Sequence, residues 1–112
     1  MEYKVYDSYN KIMYFNAQWI DDGKWNLGKM IRNRWFKVSH SIGVLDFNNS
    51  VVYTNDILDV LGTPFVVSSE PVNGVYVAYD MTNMKNIIEM NTLQSDTFVI
   101  IGSKFEIEDE YK

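Results

Sequence analysis

Apolar and polar positions alternate along most of this chain. "YKVYD" and "IMYF", on either side of "SYNK", each repeat with a period of two around a polar turn and predict an N-terminal hairpin. "DDG" at 21–23 predicts a second turn, in which Gly23 takes a positive φ and the aspartates accept nearby backbone amides. In "KWNLGKMIRNRWFKV" two patterns compete. Leu27, Met30, Ile31 and Trp35 form a helical stripe, whereas Ile31, Asn33, Trp35 and Lys37 share one face of a strand. Gly28 and the aromatic and β-branched content favour the strand.

From residue 51 the pattern is firmer. "VVYTNDILDVLG" holds two apolar runs broken at Thr54-Asn55-Asp56. "TPFVVSSE" predicts a strand that tolerates Pro64 at its start or on a sheet edge. Asn73-Gly74 is the favoured pair for a type I′ hairpin turn. "NIIEM" and "FVIIGSKF" supply two more strands, and residues 106–112 read as an exposed, frayed acidic tail. Short strands at roughly ten-residue spacing with little helix predict a mainly β fold. The expected architecture is a small antiparallel β-barrel or SH3-like sandwich with an N-terminal hairpin, a single domain over 1–112.

Composition adds exclusions. There is no Cys, which removes disulfides, thiolate metal sites and cysteine nucleophiles and suits a reducing cytosol. The first residues carry charge and no apolar h-region, so no secretory signal is expected, and no apolar run is long enough to span a membrane. Eight Tyr, six Phe and three Trp favour strands over helices. The net charge of -5 is uneven: residues 1–37 hold seven Lys/Arg against four Asp/Glu, and residues 38–112 hold three against eleven. Such a split points to faces that meet different partners, or each other in a homo-oligomer.

Three segments carry a family resemblance. "KVYDSYNKIMYF", through Val5, Tyr6, Asp7, Lys11, Met13 and Tyr14, resembles the start of the YopX-like proteins of phages and prophages. "VVYTNDILDV" is similar to that family's Ile-Tyr stretch leading into Gly-Asp-Ile-Val, through Val52, Tyr53, Asp56, Ile57 and Leu58. "VIIGSKFE" is similar to its ending, through Ile100, Ile101, Gly102, Phe105 and Glu106. Asn55 stands where the family has Gly, and residues 18–43 lie outside the resemblance. The resemblance implies a β-rich phage protein in the bacterial host cytoplasm, with Tyr53, Asp56 and Gly102 as structural motif residues. By analogy with small phage proteins, host takeover or anti-defence inhibition is the expected setting.

Chemistry-bearing residues are sparse. Asp56 is read as an acceptor of backbone amides in a turn, and Asp59 would lie on the opposite strand face, a poor acid–base dyad. Asp21-Asp22 lacks the alternating oxygen ligands of a calcium loop. Glu106, Glu108, Asp109 and Glu110 are a solvated tail before they are an ion site or a mimic of nucleic acid phosphates. His40, the only histidine, reads as a polar loop residue, since neighbouring Ser and His do not make a triad and one His does not build a zinc site. No phosphate-binding or nucleophile-elbow motif occurs, so the expectation is a protein that is not an enzyme and holds no cofactor or metal.

The stretch 24–37 remains. Lys24, Lys29, Arg32, Arg34 and Lys37 interleave with Trp25, Trp35 and Phe36. Read first as a folded element, it turns its aromatics inward and pairs its arginines locally. Read second as an interface, it offers Trp25, Arg32, Arg34, Trp35 and Phe36 to a host or self protein, since Trp and Arg are enriched at binding hot spots. Single-stranded nucleic acid is the third reading: cations track phosphates while rings stack on bases, but the chain is net negative.

Overall fold

The computed structural model describes residues 1–110, with side chains through Glu108. Strands β1 (Tyr3–Asp7) and β2 (Ile12–Phe15) form the N-terminal hairpin. Asp7 accepts the Tyr9 and Asn10 amides, both at 3.0 Å, and Lys11 closes the turn at φ +59°. A 3₁₀ turn (Ala17–Trp19) and helix α1 (Leu27–Ile31) follow, then the long strand β3 (Phe36–Leu45) and the short β4 (Val51–Tyr53). The rest of the chain builds β5 (Asp56–Val60), β6 (Thr63–Val67), β7 (Val77–Asp80), β8 (Ile87–Glu89), β9 (Phe98–Ser103) and helix α2 (Lys104–Glu110).

These make two antiparallel sheets, ordered β2-β1-β3-β4 and β8-β7-β6-β5-β9. The result is the mainly β, sandwich-like fold that the strand spacing predicts. β3 serves both halves of the molecule. Its Phe36 and Val38 join Val5, Ala17 and Met30 in one core, under α1. Its Ile42 and Val44 pack on the larger core of Val52, Leu58, Val60, Phe65, Val67, Ala78, Met90 and Phe98. Between these halves the β3–β4 register shifts, and Gly43 supplies φ +80°. Among the described residues, no helix is long and apolar enough to cross a membrane.

Two sequence expectations are corrected here. Residues 27–31 are helical, not extended. The Asn26 side chain accepts the Lys29 amide at 2.9 Å, an N-cap that fixes the helix start. Leu27 and Met30, three apart, then face Val5 and Ala17. A five-residue helix is marginal alone, so this burial, not propensity, decides its form. The acidic tail is also no loose end as far as Glu110, since Lys104–Glu110 is helical. The Glu106 carboxylate accepts the Ser103 amide at 3.2 Å, and Ile107 lies beside Gly102. Residues 111–112 lie outside the described residues.

Candidate protein-binding surface

The chain leaves α1 through Arg32 and turns sharply into β3. Asn33 makes that turn by accepting the Trp35 amide on its side chain at 2.9 Å and the Phe36 amide on its carbonyl at 3.1 Å. The Trp35 carbonyl receives the Ser8 amide at 2.8 Å and the Ser8 hydroxyl at 2.7 Å. With its backbone bonded on both sides, Trp35 presents a positioned ring that is 44% exposed. The Arg34 guanidinium lies 4.9 Å from the ring centroid, and Tyr9 meets Trp35 edge-to-face at 5.6 Å.

Two hollows flank this stack. One, of about 530 Å³, is lined by Tyr6, Ser8, Arg34, Trp35, Lys37, Phe105 and Glu108. The other, of about 310 Å³, lies among Asp7, Tyr9, Lys24, Trp25, Asn33, Trp35 and Phe36. The five residues singled out in the sequence therefore separate by role. Arg34 and Trp35 form the exposed platform. Trp25 and Phe36 are half-buried, paired edge-to-face at 4.7 Å and packed on the α1 core, and both line the smaller hollow. Arg32 is exposed and lines neither hollow. The local salt bridges expected of the arginines are absent among the described residues: the ion pairs there are Lys4–Asp56 and Lys104–Glu108. Tyr9, whose signal in sequence was only a turn position, completes the platform.

A second constellation joins two residues that the sequence singles out, Tyr53 and Asp56, to a lysine that it does not. Lys4, 5% exposed, is ion-paired with the fully buried Asp56 carboxylate, tying β1 to the start of β5 across 52 residues of sequence. Asp56 also accepts the Tyr53 amide at 2.8 Å. The Lys4 ammonium lies 4.8 Å from the Tyr53 ring centroid and 5.9 Å from that of Phe15. Burial pushes the Asp56 carboxyl above its ordinary value, opposed by Lys4 and by the Tyr53 amide. Burial also pushes the Tyr53 hydroxyl up to about 12, reinforced by Glu2, toward which it donates at 3.4 Å. Because Lys4 is committed to Asp56, this cluster works as a brace between the sheets. Gly102 sits beside a bulge in β9, where Ile57 faces Gly102 but Leu58 faces Ile100. The buried Asp46 anchors that bulge by accepting the Ile100 amide at 3.0 Å along with those of Asn48 and Ser50.

His40 is in β3, not in a loop. Its Nδ1 donates to the Ser41 carbonyl at 3.1 Å, which leaves Nε2 to accept from the Tyr76 hydroxyl at 3.2 Å. Asp59 receives the Gly62 amide at 2.8 Å in the β5–β6 turn. Among the described residues, no group of three or more His, Asp or Glu is placed to hold a metal ion. Compared with known proteins, the chain matches no protein-family model, and no curated protein matches it.

Proposed function

We propose that this is a non-enzymatic binding protein that captures another protein on its Arg34–Trp35–Tyr9 platform. The observation that carries this reading is an exposed tryptophan whose backbone is clamped in place while an arginine stacks on its ring. A positioned aromatic anchor loses little conformational freedom on binding, and Trp, Tyr and Arg contribute most at interfaces. Arg34 and Lys37, which make no ion pair among the described residues, select a partner carrying carboxylates. The YopX-like resemblance sets this activity in a phage protein acting in the bacterial host cytoplasm, as a host-takeover or anti-defence inhibitor.

The rival reading is single-stranded nucleic acid on the same platform, favoured by the two exposed rings of Tyr9 and Trp35 beside cations. It is weaker because Trp25 and Phe36 are turned into the core. Affinity capture from the bacterial host, read by mass spectrometry against the Arg34→Glu, Trp35→Ala double variant, tests the proposal. The expected result is loss of a captured protein with a melting transition within about 1 kcal/mol of the parent, since both side chains are exposed. Undiminished capture, or an unfolded variant, would refute it. Salt-sensitive retention of oligonucleotides that depends on Trp35 would favour the rival.

A further inference from the structure

The turn between β5 and β6 holds a residue that the fold does not need. Val60 pairs with Thr63, so the loop is Leu61-Gly62, and both residues have positive φ, +50° and +92°. This is the primed hairpin turn in which Asn-Gly is favoured, because a left-handed conformation strains a side chain like leucine's. The protein supplies its own control. Asn73-Gly74 makes a turn of the same kind at φ +52° and +82°, with Val72 and Val75 bonded across it at 2.7 and 3.1 Å. Leu61 is 83% exposed, so burial does not compensate its strain.

Beside it, Phe47 in the turn between β3 and β4 is 66% exposed. Leu61 and Phe47 border a hollow of about 320 Å³, with Phe98, Val99 and the acidic residues Asp59 and Asp96 among its lining. An apolar hollow with acidic residues fits an apolar side chain flanked by cations. This chain carries such a feature in Trp35 with Arg34 and Lys37. Trp35 immediately precedes β3 and Phe47 follows its end, so the two features are separated by a ten-residue strand. An extended strand of that length, at roughly 3.3 Å per residue, holds its two ends much farther apart than a side chain reaches. One molecule therefore cannot fill its own hollow.

We propose that the Phe47–Leu61 hollow docks the Trp35 face of a second copy, joining chains head to tail. The proposal rests on the reading of that face as a protein-binding surface and names one of its partners. Contacts between unlike surfaces close into rings or extend as filaments. Paired exposed charges make the association weaken as salt rises.

Sedimentation velocity from about 10 µM to about 1 mM, the range of weak protein contacts, tests this with two variants. Leu61→Asn copies the Asn73 turn. At concentrations where both proteins are monomeric it is expected to melt about 2–6 °C higher, through relief of the left-handed strain. It is also expected to lose self-association. Trp35→Ala is expected to lose self-association too, from the opposite surface. An equimolar mixture keeps one intact hollow and one intact Trp35 face, so it should form heterodimers that grow no further. A monomeric parent at every concentration, undiminished association of Leu61→Asn, or a mixture that stays monomeric would overturn the head-to-tail contact. If Trp35→Ala still loses an outside partner in those cases, the binding role of the Trp35 face survives while this inference falls.

Discussion

Removing the ammonium of Lys4 is the sharpest test of how the sheets are joined. Lys4 and Asp56 are 5% and 0% exposed, and among the described residues Lys4 is the cation paired with that carboxylate. In Lys4→Met the carboxylate keeps, among the described residues, the Tyr53 amide as its donor. An ion left unpaired in the interior costs about 3–5 kcal/mol. At about 4 °C per kcal/mol for a chain of this size, the melting temperature should fall by about 12–20 °C at pH 7. Asp56→Asn leaves the ammonium buried against an amide and should cost about 2–4 kcal/mol. Together the two changes should cost less than their sum, because neither charge remains and the new side-chain amide still offers an oxygen to the Tyr53 N–H. A double variant within about 2 kcal/mol of the parent is expected, a coupling that denaturant melts of the four proteins measure directly.

The pH dependence carries a defined sign. Burial already raises the Asp56 carboxyl, and losing Lys4 raises it further. Between the unfolded value, near 3.9, and the raised folded value, the folded state binds a proton that the unfolded chain does not. Stability of Lys4→Met should therefore fall as pH rises through that window, and its deficit against the parent should narrow toward about pH 4. A Lys4→Met protein within about 1 kcal/mol of the parent at pH 7, or a deficit independent of pH, would refute this account of the brace.

Asp46→Ala removes the acceptor of three backbone amides and should cost about 2–3 kcal/mol, with the Ile100 amide losing hydrogen-exchange protection in native-state measurements. Ultraviolet titration should show a tyrosine component that ionises near 12, and Tyr53→Phe should delete it. Asp80 is held below the usual carboxylate range, first by the Thr82 hydroxyl at 2.6 Å and then by the Thr82 amide. Its contribution is present above the unfolded value and lost as pH falls through the folded one, so acid melts below about pH 4 should be less pH-dependent in Asp80→Asn.

Local pattern determined much of this protein. The first hairpin, the Asp22-Gly23 and Asn73-Gly74 turns and the strands from Val51 to Ser103 follow from alternation and turn chemistry, forces that act within a few residues. The pairing of Arg34 with Trp35 was legible too, since a cation next to a tryptophan is visible in one dimension, but the first reading turned that ring inward and its exposure was not foreseen. Tertiary structure decided the rest. Residues 27–31 satisfied two periodicities, and only the apolar floor of Val5 and Ala17 selected the helix. Trp25 and Phe36 shared a composition with Trp35 but went inward, Phe36 on the face of β3 that packs on the α1 core and Trp25 edge-to-face against it. Lys4, on a strand where lysine ordinarily faces water, is buried by a carboxylate 52 residues away. Residue type and spacing carry no trace of such long-range pairings, because their energy comes from excluding water around groups that only the assembled sheets bring together.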